Sequence, residues 1–180
     1  MIIKAICGVG CVGKTTYANK LLSEYKNKNL PRPVVLRVGK FLRETLGSDF
    51  FTKLTVPGAP EETANWVKSL VYNAILMGYQ YSRDVILDGF PRTKEQFEWL
   101  MYSSIVSTKT IEVEIDFLWT ADGIIEERIA KRTKENPDEK DLIIARIHSD
   151  AAMLSTLWST AKDIVDNESF KNLKINEINV

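Results

Sequence analysis

The sequence predicts an α/β domain built on a doubly wound parallel sheet, and three observations carry the prediction. Its strand-like runs are short and continuously apolar rather than alternating, as in Ile2-Ile3-Lys4-Ala5-Ile6-Cys7 and Val85-Ile86-Leu87, which suits strands covered by helices on both faces. Between these runs lie segments whose apolar residues recur at helical spacing. A glycine-rich turn, Gly8-Val9-Gly10-Cys11-Val12-Gly13-Lys14-Thr15, joins the first run to the first helical segment. It matches the G-x-x-x-x-G-K-[ST] phosphate loop at every fixed position.

Residues 2–7 form the first predicted strand. A polyphosphate can be wrapped only by backbone N–H groups that approach it closely, and Gly8, Gly10 and Gly13 remove the side chains that would stand in the way. Cys11 and Val12 complete the loop. Lys14 would set a point charge between the outer two phosphates, and the Thr15 hydroxyl would take a Mg²⁺ coordination place. Thr16 follows at the helix N-terminus, whose partial positive charge aims at the same anion.

The first helix is expected to run to about Lys28, where Asn29-Leu30-Pro31-Arg32-Pro33 breaks it. Residues 34–38 are the second strand, with Gly39 at its carboxyl end, and residues 40–46 make a short helix before Gly47. Leu54 to Pro60 holds two prolines and a glycine and reads as a loop-rich, mobile insertion. From Glu61 the positions Trp66, Val67, Leu70, Val71, Ala74 and Ile75 trace an amphipathic helix that ends near Gly78. The third strand, residues 85–87, leads into Asp88-Gly89-Phe90-Pro91-Arg92, and Thr93 is placed to cap a helix reaching about Tyr102. A fourth strand spans 111–119, a helix 121–131, a short polar segment 133–140 and a long helix 141 to about 163. On that last helix Leu142, Ala145, Ala152 and Leu157 are the expected inward positions. Residues 173–175 make a final short strand, and ligands of such a sheet bind outside the carboxyl ends of its strands.

Composition narrows the partners. Lysine plus arginine and aspartate plus glutamate both number 24, so no net field favours nucleic acid or an anionic membrane. No 18-residue apolar run occurs, and the N-terminus leads straight into the first strand, so a cytoplasmic monomer is the expectation. Cys7 and Cys11, the two cysteines, support neither a disulfide framework nor a metal set. Cys7 is assigned to the core and Cys11 to loop filling. His148 is the sole histidine and is assigned a structural role.

A second anion constellation stands beside the phosphate loop. Asp88, at the carboxyl end of a buried strand, can hold Mg²⁺ directly or through water, Gly89 shapes the turn, and Arg92 offers a planar fork to a second phosphate. Arg128, Arg132 and Arg146 lie on the helices flanking the polar segment, the first two on one helical face. At these residues the chain resembles the nucleoside monophosphate kinases, and adenylate kinases most of all. The resemblance covers nearly the whole chain: residues 8–15, 38–43, 88–92 with Gln96, and 128–132.

The resemblance implies a P-loop three-layer α/β/α sandwich with a five-stranded parallel sheet, an NMP-binding lobe over residues 39–78 and a short lid over 133–140. It implies transfer of phosphoryl from ATP, with Mg²⁺ held by Thr15 and Asp88, to a nucleoside monophosphate. Gly39, Arg43, Gly89 and Arg92 would hold the acceptor and Gln96 would read its base. Arg128 would lie against the ATP adenine, while Lys14, Arg92, Arg132 and Arg146 would neutralise the moving phosphoryl group. Three positions depart from the family. Lys40 stands where an aspartate usually supports the magnesium, Val38 where adenylate-specific members often have threonine, and the lid holds Lys134 and Lys140 in place of a further arginine. The sequence ends at Val180 after the last strand, so the family's closing helix is not expected. Two other functions stay open: a P-loop kinase for a pyrimidine, deoxynucleoside or non-nucleotide acceptor, and a nucleotide-binding module with slow or no transfer.

Overall fold

The computed structural model describes residues 1–46, 61–103, 106, 111–134, 140–167 and 170–180. The expected insertion at 54–60 and residues 135–139 of the expected lid lie outside the described residues, as do the side chains of Arg132 and Leu142. Five strands, β1 (Ile2–Cys7), β2 (Val34–Arg37), β3 (Val85–Asp88), β4 (Glu112–Trp119) and β5 (Leu173–Asn179), form one sheet in the order β2-β3-β1-β4-β5. All four pairings are parallel. The helices are α1 (Lys14–Asn27), α2 (Val38–Leu46), α3 (Glu61–Gln80), α4 (Lys94–Tyr102), α5 (Asp122–Thr133) and α6 (Lys140–Asp166). The architecture is therefore the α/β P-loop fold that the motif and the strand pattern predict.

The sheet order puts β1 at the centre, where the chain crosses from one half of the sheet to the other. That is the switch point at which α/β sheets bind ligands. Ile3, Ala5 and Ile6 on β1, Ile86 and Leu87 on β3, and Ile115 and Phe117 on β4 are wholly buried. Each large side chain among them stabilises the fold by about 1.5–3 kcal/mol, so the loop leaving β1 hangs from the most firmly held strand. The register sets Ile6 opposite Asp88 on one side and Asp116 on the other. Asp116 is 1% exposed and is satisfied by the Tyr17 hydroxyl at 3.1 Å and the Asn176 amide at 2.7 Å, which ties α1 and β5 to the central layer.

Thr93 caps α4 as its position predicts, its hydroxyl accepting from the Gln96 N–H. Val67, Val71, Ala74 and Ile75 face the core from α3. Three expectations need correction. The second strand ends at Arg37, and Val38 already begins α2, so Gly39 lies inside a helix rather than at the strand's carboxyl end. The last strand is longer than expected because its whole length pairs with β4, Val113 to Trp119 against Leu173 to Asn179; partly exposed edge residues conceal that pairing in the sequence. On α6, Leu157 is buried but Ala145 and Ala152 are exposed. The inward stripe is Asp150, Leu154, Leu157 and Ala161, at the 3.6-residue period, and small apolar alanines outside it gain little from burial. No helix among the described residues is long and apolar enough to cross a membrane.

Candidate functional site

The loop between β1 and α1 takes the conformation its glycines permit. Gly13 sits at φ 109° as the N-cap of α1, a value that L side chains rarely adopt. Cys11 also takes positive φ, at 62°. The Lys14 ammonium turns back under the loop and donates to the carbonyls of Gly8 and Val9, both at 2.7 Å. Burial is the main reason its pKa falls from the usual 10.5 to about 8, and the neighbouring Arg92 cation is the next. Asp150 and Asp88 act in the opposite sense and Arg146 in the same sense, so four charged groups converge on this one ammonium.

At the next residue, the Thr15 hydroxyl donates to Asp88 Oδ2 at 2.8 Å. A hydroxyl and a carboxylate side by side at the mouth of the loop are hard oxygen donors, the chemistry Mg²⁺ requires. No group of three or more potential metal ligands occurs among the described residues. This pair therefore fits a Mg²⁺ that takes its remaining ligands from phosphate and water.

Arg92 leaves the turn after β3, where Gly89 has φ 85° and the Phe90–Pro91 peptide is cis. Its backbone N–H donates to Gln96 Oε1 at 2.8 Å, and its guanidinium is paired with the Asp150 carboxylate. The second Asp150 oxygen, Oδ2, accepts from the Gly10 N–H at 3.1 Å. Arg128 reaches from α5 to the far side of the loop and donates to the carbonyls of Val12 at 2.6 Å and Cys11 at 3.3 Å.

These groups share a cavity of about 1080 Å³, at the upper end of ligand-site volumes. It runs from Gly10, Lys14, Thr15, Thr16 and Arg128, past Asp88, Gly89, Arg92, Gln96 and Arg146, to Gly39, Arg43 and Lys68 beneath α2 and α3. Of the residues singled out in the sequence, nearly all line this cavity. Gly8 lies behind the loop in a small adjoining space with Cys7 and Asp150, and Arg132 is placed by its backbone alone on α5. Lys40 pairs with Glu44 one helical turn on, at 3.5 Å. Cys7 is core, 2% exposed, with its thiol pushed up to about 12 chiefly by burial. His148 is exposed on α6.

Asp150 is the site residue that sequence reasoning passes over. Its signal was a charged residue on the inward stripe of a helix, since such a residue stays buried only when paired. A family model described as an AAA domain matches residues 4–155 of the chain. No curated protein matches it.

Proposed function

We propose that this chain, which belongs to the AAA domain family of P-loop NTPase-like domains, transfers the γ-phosphoryl of Mg-ATP to a nucleoside monophosphate. The observation that carries the reading is the single cavity: a phosphate loop at one end, Arg43 and Lys68 at the other, and Arg92 and Arg146 between them. Cations on both sides of one space suit two phosphate-bearing ligands meeting end to end.

Lys14 and the loop amides hold the donor phosphates, with Arg128 fixing the loop's shape through the carbonyls of Cys11 and Val12. Thr15 and Asp88 are the residues that would hold Mg²⁺, which would supply charge neutralisation for the phosphates when bound. Arg43 and Arg92 orient the acceptor phosphate so that one of its oxygens attacks the γ-phosphorus as the bond to the β–γ bridging oxygen breaks. The nucleophile is already an anion, so no general base is needed; positioning and positive charge perform the catalysis. Arg132 and Arg146 are the further cations assigned to the moving group.

One hydrogen bond favours a second reading, a P-loop kinase for a different acceptor. Only an oxygen can accept from the Arg92 N–H, so the acceptor end of Gln96 is turned to that backbone rather than presented to a base, where adenine recognition asks for both a donor and an acceptor. The test of both readings is a phosphoryl-transfer panel with Mg-ATP and AMP, dAMP, CMP, UMP, GMP and dTMP, run beside Lys14→Ala. Turnover with one acceptor, lowered on the order of 10²- to 10³-fold in the variant, is the expected outcome and names the substrate. Undiminished turnover by a folded Lys14→Ala protein would remove the phosphate loop from the mechanism. ATP binding without transfer to any of the six would reject the monophosphate acceptors.

A further inference from the structure

We propose that Asp150 is a built-in competitor for the outermost phosphate of the donor: its carboxylate engages the loop amide and the arginine that this phosphate would use, and so sets how tightly the phosphate is held. The proposal rests on the phosphate-loop reading above and concerns the same site. Asp150 is nine-tenths buried or more, its side chain 5% exposed. One carboxylate oxygen accepts from the Gly10 N–H and the other is paired with the Arg92 guanidinium. A loop amide and an arginine fork are the donors a phosphoryl group would use here. The carboxylate also lies close enough to the Lys14 ammonium to act on its ionisation, and in a phosphate loop this lysine reaches the outer two phosphates.

Hydrogen-bond capacity makes the occupancy exclusive. Arg92 has five N–H donors and can serve two anions, but Gly10 has a single N–H. An oxygen of the terminal phosphate and Asp150 Oδ2 cannot both take it at full strength. Two anions side by side would also repel in a site sheltered from water. Filling the loop therefore requires Asp150 to withdraw, and with it the part of α6 that covers the loop, where Ile147 packs so close that a Cβ on Gly10 would meet its Cγ1 at 3.1 Å. The other half of α6 is anchored: Leu157 and Ala161 are wholly buried, and Trp158 meets the Phe117 ring edge-on with centroids 4.8 Å apart. The contacts that phosphate would replace are thus confined to the half of the helix that follows the lid segment. The single Gly10 N–H is contested by the γ-phosphate of ATP alone, whereas AMP meets Asp150 only through the Arg92 fork, which has donors for both anions, so Asp150 acts more strongly on triphosphate than on monophosphate affinity.

The test is calorimetric binding of Mg-ATP, Mg-pyrophosphate and AMP to the wild-type chain, Asp150→Asn and Asp150→Ala. Both substitutions should tighten ATP and pyrophosphate about tenfold or more, the order expected when one charge-assisted hydrogen bond no longer has to be broken, and should change AMP affinity by less than they change that of ATP. Unchanged or weaker ATP and pyrophosphate binding would overturn the proposal and make Asp150 a residue that positions Arg92. Absence of pyrophosphate binding by the wild-type chain would instead overturn the phosphate-loop reading itself. A second measurement needs no variant: the nuclear Overhauser contact between the Ile147 methyls and the Gly10 α-protons should fade on saturation of wild-type protein with Mg-pyrophosphate. Persistence of that contact in the saturated protein refutes the withdrawal whether or not the variants fold.

Discussion

Lys14 should make the stability of the nucleotide-free protein depend on alkaline pH, with a sign opposite to that of an ion-paired lysine. Its pKa falls from 10.5 to about 8 because folding buries the ammonium and sets it near Arg92. Between those two values the unfolded chain keeps a proton that the folded chain has released, so raising the pH favours the folded state. Below about pH 8 both states are protonated and the folded state carries the whole cost of the buried charge. The fall from 10.5 to about 8, at about 1.4 kcal/mol for each tenfold change in proton affinity, amounts to roughly 3 kcal/mol across the window. Urea unfolding of the wild-type chain and Lys14→Met at pH 7 and pH 10 isolates this effect. Whatever methionine gains or loses in packing, including the bonds to Gly8 and Val9, enters at both pH values. Tyr17 and Tyr25, whose pKa values are raised mainly by burial, are common to both proteins and cancel. The wild-type chain should gain about 2–3 kcal/mol on the variant between pH 7 and pH 10. Parallel stabilities at the two pH values would show that Lys14 is ionised in the folded state throughout, and the argument from burial would fail.

Two further substitutions test how the site is supported. Gly13→Ala forces a side chain onto a φ of 109° and sets its Cβ 3.3 Å from Arg128 Nη1; thermal unfolding should show a loss of about 1–3 kcal/mol, accompanied by weaker ATP binding, and an unchanged Tm would argue against the loop conformation. Asp116→Ala removes the acceptor for the Tyr17 hydroxyl and the Asn176 amide inside the core, and urea unfolding should report a loss of about 2–5 kcal/mol. A change below 0.5 kcal/mol, the scale of a surface substitution, would mean that this network adds nothing to the fold.

Local patterns determine much of this protein by themselves. The apolar runs at 2–7 and 85–87, the loop from Gly8 to Thr15 and the Thr93 cap depend on backbone conformation and on which faces are covered, properties that neighbouring residues encode. From them the fold class and the pairing of Thr15 with Asp88 at one site could be foreseen, whereas the central place of the first strand came from the sheet order. Tertiary structure alone decided where two sequence-distant elements compete for one position. Strand β5 is seven residues long because β4 offers that much edge to pair with, which no window around Leu173 contains. Gly39 falls inside a helix because β2 stops at Arg37, the last residue in register with β3. Asp150 lies 140 residues from Gly10 and 58 from Arg92, and it becomes a site residue only when α6, held by Leu157, Trp158 and Ala161, is laid across the loop. A buried carboxylate is stable only with partners, and those partners come from other parts of the chain.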